Sequence, residues 1–155
     1  MRKIIFCLAL AIIVAHGTVL SQEKGFGVGF VTGQPTGIST KIWTGPANAL
    51  QFSLAWRNEN GWFGNRVSLS GDYLWHSFDA IRSEYRFPVY YGVGGMLTTG
   101  GDERDNLGIR GVVGIGFLPR TVPIDVFMQI VPVFVISPDT HIDVDAGLGL
   151  RFFFK

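Results

Sequence analysis

Apolar and polar residues alternate with a period of two along almost the whole chain after residue 21. The alternation is clearest at 50–56, 67–75 and 142–152, where nearly every second residue is apolar. Since successive side chains of a strand point to opposite faces of a sheet, this pattern predicts strands with one apolar and one polar face. Helical spacing occurs only weakly, at 77–86. The chain is therefore predicted to be all-β.

Clusters of turn-forming residues divide the alternating pattern into eight predicted strands. The predicted strands span 25–32, 38–44, 49–56, 65–75, 88–97, 107–118, 124–134 and 141–154. Many of them reach the length of about 9–11 residues that a tilted strand needs to cross a bilayer. An even number of strands also lets an antiparallel up-and-down meander close into a barrel that has no free edge.

The first 21 residues have the pattern of a secretory signal peptide. Two basic residues precede twelve apolar residues at 4–15, a run too short to span a bilayer as a helix. The alternative is a buried N-terminal helix. We place cleavage before Gln22, which gives a signal peptide at 1–21 and a barrel domain at 22–155. Cys7 is the only cysteine and leaves with the signal peptide, so the mature chain is expected to contain no disulfide.

The two faces of the predicted strands differ sharply in polarity. One face carries large apolar residues, and the other carries Gly, Ser and most of the strand charges. A soluble barrel needs a densely charged outer face, whereas a membrane barrel turns its apolar face to lipid and its polar face inward. Charged residues make up only 16% of the chain, which favours the membrane barrel. We therefore predict an interior ion-pair network that consists of Lys41, Asp72, Arg110, Asp125, Asp143, Asp145 and Arg151.

Aromatic residues lie near the predicted strand ends. Trp43, Trp56 and Trp75 end strands and Trp62 lies in a connection, as in the interfacial girdles of membrane barrels. Trp43 departs from this pattern because it shares the parity of the inward Lys41.

The last predicted strand ends in three apolar residues of one parity, Leu150 and the aromatic Phe152 and Phe154, followed by Lys155. This ending resembles the C-terminal strand that the outer-membrane assembly machinery recognises in bacterial barrel proteins. We therefore predict that these three residues form a C-terminal assembly signal.

More broadly, the mature chain resembles the barrel domain of the outer-membrane protein A family. Four segments are similar to an uncharacterised family of small bacterial barrels: Gly33-Gln34-Pro35-Thr36-Gly37-Ile38-Ser39, Asp72-Tyr73-Leu74-Trp75-His76, Val89-Tyr90-Tyr91-Gly92-Val93-Gly94 and Leu107-Gly108-Ile109-Arg110-Gly111. The resemblance implies an eight-stranded antiparallel transmembrane β-barrel in the bacterial outer membrane. Its partners would be outer-membrane lipid and the barrel-assembly machinery. The resemblance implies no particular activity.

Few residues suit catalysis or metal binding. His76 and His141 are the only histidines of the mature chain, and His76 and Ser77 point to opposite faces of a strand because they are adjacent. The aspartates within 139–145 lack the pattern of a calcium-binding loop. We expect no metal and no cofactor. The chain has no cluster of Lys and Arg, so we also expect no nucleic-acid partner.

The preferred prediction is a non-enzymatic, monomeric outer-membrane barrel with a closed polar core and a structural or surface-interaction role. The alternatives are a lipid-modifying barrel enzyme and a soluble periplasmic barrel that binds an apolar ligand. If both termini are periplasmic, the outward loops are 33–37, 57–64, 98–106 and 135–140. On the last strand, we expect the inward Gly149→Ser to be tolerated better than the outward Leu148→Arg.

Overall fold

The structure is a computed structural model that describes residues 25–34, 36–57, 66–100, 104–119 and 121–154. Within these ranges the chain forms eight strands: β1 (Phe26–Gln34), β2 (Thr36–Trp43), β3 (Asn48–Arg57), β4 (Arg66–Ser77), β5 (Val89–Gly100), β6 (Asn106–Phe117), β7 (Ile124–Ser137) and β8 (His141–Phe154). Each strand pairs antiparallel with its neighbours in sequence, and β8 returns to pair with β1. The prediction of an all-β, eight-stranded antiparallel up-and-down barrel is therefore confirmed. The predicted signal peptide lies outside the described residues.

The predicted strand ends agree with the structure to within three residues, and β8 agrees at both ends. The weak helical expectation for 77–86 is wrong. Ser77 is the last residue of β4, and the residues that follow form bends before Arg86 makes an isolated bridge to Leu118. Phe78 packs on the ring of His76 instead of on a helical neighbour, with 6.2 Å between ring centroids. No helix in the described part of the chain is long and apolar enough to cross a membrane.

The barrel closes through nine residue pairs between β1 and β8, which run from Phe26 opposite Phe154 to Gln34 opposite Ala146. The two strands come very close at Gly29, where a Cβ atom would overlap the backbone of Leu150. Only glycine permits this approach of one backbone to another. Closure leaves no strand with an unpaired edge within the described barrel.

The β6–β7 ladder is less regular than the others. Its register shifts between Leu107 and Gly108. Pro132 lies in the middle of β7, opposite Val144 of β8, where it has no amide hydrogen to donate. The residue pairs between β6 and β7 are interrupted here, between Arg110–Val133 and Val113–Ile130, so the missing donor falls within a gap in that ladder.

Burial alternates residue by residue along the strands. In β7, every odd-numbered residue from Asp125 to Val135 is buried, and the residues between them are exposed or half-buried. The outer face of the barrel is apolar, whereas the inner face is mixed, since it holds the buried charges together with an apolar cluster that includes Val131, Val133 and Val135 of β7. The alternation therefore predicts the outer face correctly but understates the apolar part of the interior.

Both chain termini of the described barrel lie at one end, where β1 begins and β8 ends. We call this the terminal end; it also carries the connections 44–47, 78–88 and 118–123. The opposite end carries the connections between β1 and β2, β3 and β4, β5 and β6, and β7 and β8. Of those four, only 104–105 and 138–140 lie within the described residues. Most of the predicted 57–64 loop is outside them.

Candidate functional site

The interior of the barrel holds charged side chains in pairs. Within the described residues, six charged side chains are buried, and the three cations balance the three carboxylates: Lys41, Asp72, Arg110, Asp125, Asp145 and Arg151. They extend inward from β2, β4, β6, β7 and β8. A buried charge is stable only when opposite charge and hydrogen bonds compensate its lost hydration, so their mutual geometry decides what this interior can do.

Arg151 is the best-connected cation of the interior, and its side chain is fully buried. One terminal nitrogen (NH1) lies 3.0 Å from Oδ2 of Asp125. The Nε atom and the other terminal nitrogen (NH2) both donate to Ser39 Oγ, at 3.1 and 3.0 Å, and NH2 also donates to Oε1 of Gln51. The guanidinium carbon lies 3.7 Å from the ring centroid of Phe127. The planar guanidinium thus ties β8 to β2, β3 and β7 at one point.

Asp125 is shared by two cations. Its Oδ2 accepts from Arg151 and from Nζ of Lys41, the latter at 3.2 Å. The ammonium group of Lys41 also lies over two aromatic rings, 4.7 Å from the centroid of Trp43 and 5.3 Å from that of Tyr90. Ring faces attract cations, so these contacts supplement the carboxylate.

A second ion pair joins β4 and β6, with Nε of Arg110 at 3.0 Å from Oδ1 of Asp72. Gln51 connects it to the Arg151 cluster, because its Nε2 donates to Asp72 Oδ2 at 3.3 Å and its Oε1 accepts from Arg151. The same Nε2 lies 3.4 Å from Oε1 of Gln129, which also accepts the hydroxyl of Tyr90 at 3.2 Å. The two ion-pair clusters therefore form one continuous network across the lumen.

The two remaining aspartates of the predicted network differ from each other in burial. Asp145 is buried and lines a small cavity of about 30 Å³ together with Ser68, Ser70 and Arg110. The side chain of Asp143 is 43% exposed, with Oδ2 at 3.4 Å from Nε2 of His141. Asp143 has inward parity, but it lies near the start of β8 at the opposite end, so it does not reach the buried centre.

The predicted tryptophan positions divide into two groups. Trp75 is 37% exposed on the outer face and lies near Tyr73 and Tyr91, at centroid distances of 4.8 and 5.8 Å. Trp56 is partly exposed near the other end of the barrel, and Trp62 lies outside the described residues.

The expectation that Trp43 belongs to an outer girdle is wrong, because its side chain is only 5% exposed and points inward. It contacts the ring of His76 at a centroid distance of 4.5 Å, and Phe78 lies 6.1 Å away. The shared parity with Lys41 is what determines this orientation, since strand residues two apart point to the same face.

Ser39, Tyr90 and His76 also belong to the buried site, although the predicted network omits them. Strand parity in the sequence indicates that these three side chains point inward. Ser39 shares its face with Lys41, His76 with Asp72, and Tyr90 with Gly92. His76 is held at the terminal end, where its backbone nitrogen donates to the carbonyl of Ala47 at 2.7 Å and its Nδ1 lies 3.2 Å from the same oxygen. The neighbouring Ser77 is exposed on the other face, so the two side chains do not form a nucleophile–base pair.

Removal of Arg110 tests how strongly the network depends on each pair. Arg110→Met is expected to lower the free energy of unfolding by about 3–5 kcal/mol, because it leaves the buried Asp72 carboxylate with only Gln51 as a hydrogen-bond donor. The exposed Arg104→Met should change it little. Urea titration followed by tryptophan fluorescence measures both. A double variant that adds Asp72→Asn should recover part of the loss, and equal stability of the two single variants would contradict the pairing.

The arrangement balances the buried charges and cross-links β2, β3, β4, β6, β7 and β8. The described residues contain no group of three or more His, Cys, Asp or Glu side chains that could hold a metal ion. Comparison of the chain with models of protein families, with curated proteins and with solved structures finds no match.

Proposed function

We propose that this chain is a non-enzymatic β-barrel protein of the bacterial outer membrane, exported by a signal peptide at 1–21, with a closed polar core and a structural or surface-interaction role. One observation carries the proposal: the exposed surface of the closed barrel is apolar around its whole circumference, while the paired charges lie inside. Apolar residues exposed by more than half include Phe30, Leu69, Tyr91, Val93, Ile109, Val113, Met128, Ile130, Val144 and Leu148.

Water is a poor solvent for such an outer surface. Soluble monomers rarely expose a continuous apolar patch larger than a few hundred Å². Hydrocarbon is a good solvent for it, provided that every backbone hydrogen-bonding group is paired within the protein. A closed eight-stranded barrel meets that condition, because each strand has a partner on both sides.

The distribution of exposed aromatic residues supports the same location. On the outer face toward the terminal end, the ring of Trp75 stacks on that of Tyr91 and meets that of Tyr73 edge to face, and Trp56 lies toward the opposite end. Tyrosine and tryptophan favour the level of the lipid headgroups, where the ring is in an apolar layer and the polar atom reaches water. Two aromatic zones separated by an apolar band are typical of outer-membrane barrels.

The C-terminal strand supports assembly by the outer-membrane machinery. Leu150, Phe152 and Phe154 all point outward, with exposed fractions of 51, 43 and 55%. Their backbones pair with the first residues of β1, so this strand closes the barrel. A machinery that captures the last strand through its backbone edge would therefore act before β1 pairs with that edge.

A soluble barrel that binds an apolar ligand is less well supported. Such proteins keep an apolar cavity inside. Here the lumen of the described barrel is filled by charged, amide, aromatic and aliphatic side chains, and the interior cavity beside Asp145 has a volume of only about 30 Å³.

Cell fractionation tests the proposed location. We expect the mature chain in the outer-membrane fraction, released by detergent but retained after washing with high salt, because apolar burial rather than charge holds it there. A periplasmic enzyme and a peripheral membrane protein serve as controls for the two alternatives. Recovery of the mature chain as a soluble periplasmic species would contradict the proposal.

The closed core leads to a prediction about conduction. An eight-stranded barrel has an interior just wide enough for side chains to fill, and here the Lys41–Asp125–Arg151 cluster and Gln51 cross it. Protein refolded from inclusion bodies, which contains no native porin, should therefore show no steady ion current in a planar bilayer. Reproducible open-channel steps at neutral pH would contradict a closed core and indicate a channel.

A further inference from the structure

A small cavity lies inside the barrel, between the ion-pair network and the opposite end. Its volume is about 30 Å³. A cavity can hold a water molecule when it offers roughly 10–15 Å³ of space and about two to four polar partners. More than half of the residues that line this cavity have polar side chains: Ser53, Ser68, Ser70, Arg110, Gln129 and Asp145. It therefore has both the space and the partners for about two water molecules.

Short side chains on two neighbouring strands leave this part of the lumen unfilled. Ser70 of β4 lies directly opposite Ser53 of β3, and Ser68 lies opposite Ala55. Each of these four side chains has at most one heavy atom beyond Cβ. The wall that they form therefore does not reach the middle of the barrel, and three hydroxyl groups face the space that remains.

Arg110 provides hydrogen-bond donors at the cavity. Its guanidinium group has five N–H donors. The Nε atom lies 3.0 Å from Asp72, whereas the two terminal nitrogens, which carry the other four N–H groups, have no hydrogen-bond acceptor among the described residues. Unlike Nε, both terminal nitrogens keep some surface that a water molecule can reach. Because the side chain as a whole is only 5% exposed, their acceptors are expected inside the barrel.

Asp145 adds a carboxylate to the same cavity. Arg110 of β6 lies opposite Val133 of β7, and Asp145 of β8 lies opposite Val131 on the other side of that strand. The cavity is thus lined by N–H donors, by a carboxylate that only accepts, and by serine hydroxyls that do both. A small ligand that satisfies all of these groups has to accept and donate hydrogen bonds at once.

Water meets this requirement better than an ion does. The described interior already contains three buried cations and three buried carboxylates, so an added ion would leave the core with an uncompensated charge. A metal cation would also offer no acceptor to Arg110, and an anion would lie against Asp145.

We propose that this cavity binds ordered water, about one or two molecules, which accepts hydrogen bonds from Arg110 and donates to Asp145. The water connects the third buried carboxylate to the network through Arg110, which already pairs with Asp72. The site depends on the barrel interior alone, so its failure would leave the proposed membrane location intact.

Magnetic relaxation dispersion of isotopically labelled water oxygen tests the site, because it counts the water molecules that stay in a protein for longer than the protein takes to tumble. The sample is the refolded mature chain in detergent micelles. Ser70→Leu fills the cavity with an apolar side chain and should remove about one or two long-lived water molecules relative to the wild type. Ala55→Leu fills the cavity without removing a polar group and should act in the same direction.

Ser77→Leu is the matched control, because it makes the same change on the same strand at an exposed side chain outside the cavity. It should keep the wild-type number of long-lived water molecules. Migration of the unheated form on a detergent gel shows that each variant has folded. A wild type without long-lived water, or equal numbers in all variants, would overturn the proposal. Sodium or chloride relaxation that differs between the wild type and Ser70→Leu in sodium chloride solution would assign the cavity to an ion and would also overturn it.

Discussion

Leu148→Arg is expected to prevent stable insertion of the barrel into a bilayer. Leu148 lies at the middle of β8, between Thr32 of β1 and Met128 of β7, and its side chain is 52% exposed on the outer face. A lipid-facing arginine near the midplane of the bilayer costs about 2–4 kcal/mol. Folding into phospholipid vesicles, measured as the fraction of heat-modifiable protein on a detergent gel, should fall sharply.

The control places the same substitution near the rim of the barrel. Ile142 has the same outward parity on the same strand and is 70% exposed, but it lies next to the connection at the opposite end. Arginine near the interface costs only about 0–1 kcal/mol, so Ile142→Arg should insert almost normally. If both arginine variants fold into vesicles as well as the wild type, the outer face does not contact lipid.

Asp125→Asn is expected to cause a large loss of stability. The neutral amide has nearly the same shape as the carboxylate, but it leaves the buried Lys41 and Arg151 side chains without the anion they share. Removing one member of a buried ion pair typically costs about 3–5 kcal/mol. The free energy of unfolding, measured by urea titration in vesicles, should decrease by an amount in that range.

Asp143→Asn is the matched control, since it makes the same chemical change at a half-exposed side chain near His141. Exposed ion pairs contribute less than about 1 kcal/mol, so this variant should remain close to the wild type. Adding Lys41→Met to Asp125→Asn should restore part of the stability, because it removes one of the two uncompensated cations. An Asp125→Asn variant as stable as the Asp143→Asn variant would show that the shared carboxylate does not hold the core together.

The strands could be predicted from the sequence because their two faces differ so strongly. In β8, alternate residues from Ile142 to Phe154 are apolar. This strand begins and ends in the structure at the predicted residues. The orientation of the faces also followed from composition, since the polar face has too few charges to be an outer surface in water. Both inferences need only the parity of residues along each strand and the composition of each face, and both are local properties of the sequence.

The errors have two sources. Trp43 ends a strand, as girdle residues do, but it shares the parity of the inward Lys41, and inside the barrel its ring contacts that of His76. The second source is contacts between residues distant in sequence. Gly149→Ser was expected to be tolerated because the inward face is rich in small residues. The structure shows that a Cβ atom at Gly149 would overlap the ring of Phe127 and approach the carbonyl of Phe30 within 2.7 Å, so serine should be destabilising there.

The interior partners also depend on register rather than on sequence pattern. Charge balance predicts that the inward cations and carboxylates pair. It does not determine that Asp125 pairs with two cations and Asp72 with one. Gln51 is uncharged and was not among the predicted network residues, yet it connects the two clusters. Its central role follows from the register that places Gln51 opposite Asp72 of β4 and from barrel closure, which brings Gln129 of β7 within reach across the lumen, and no single strand encodes either.

The contact of the outer face with lipid is the central claim, and site-directed spin labelling measures it directly. Cys7 is the only cysteine in the sequence and precedes the proposed barrel domain, so single cysteines can be introduced into the mature chain without further changes. Labels at outward positions in the middle of the barrel, such as Leu148, Met128 and Val93, should collide more often with apolar oxygen than with a water-soluble nickel chelate. A label at the rim position Ile142 should show the reverse. Higher accessibility to the nickel chelate at all four positions would mean that water surrounds the barrel and would contradict the membrane location.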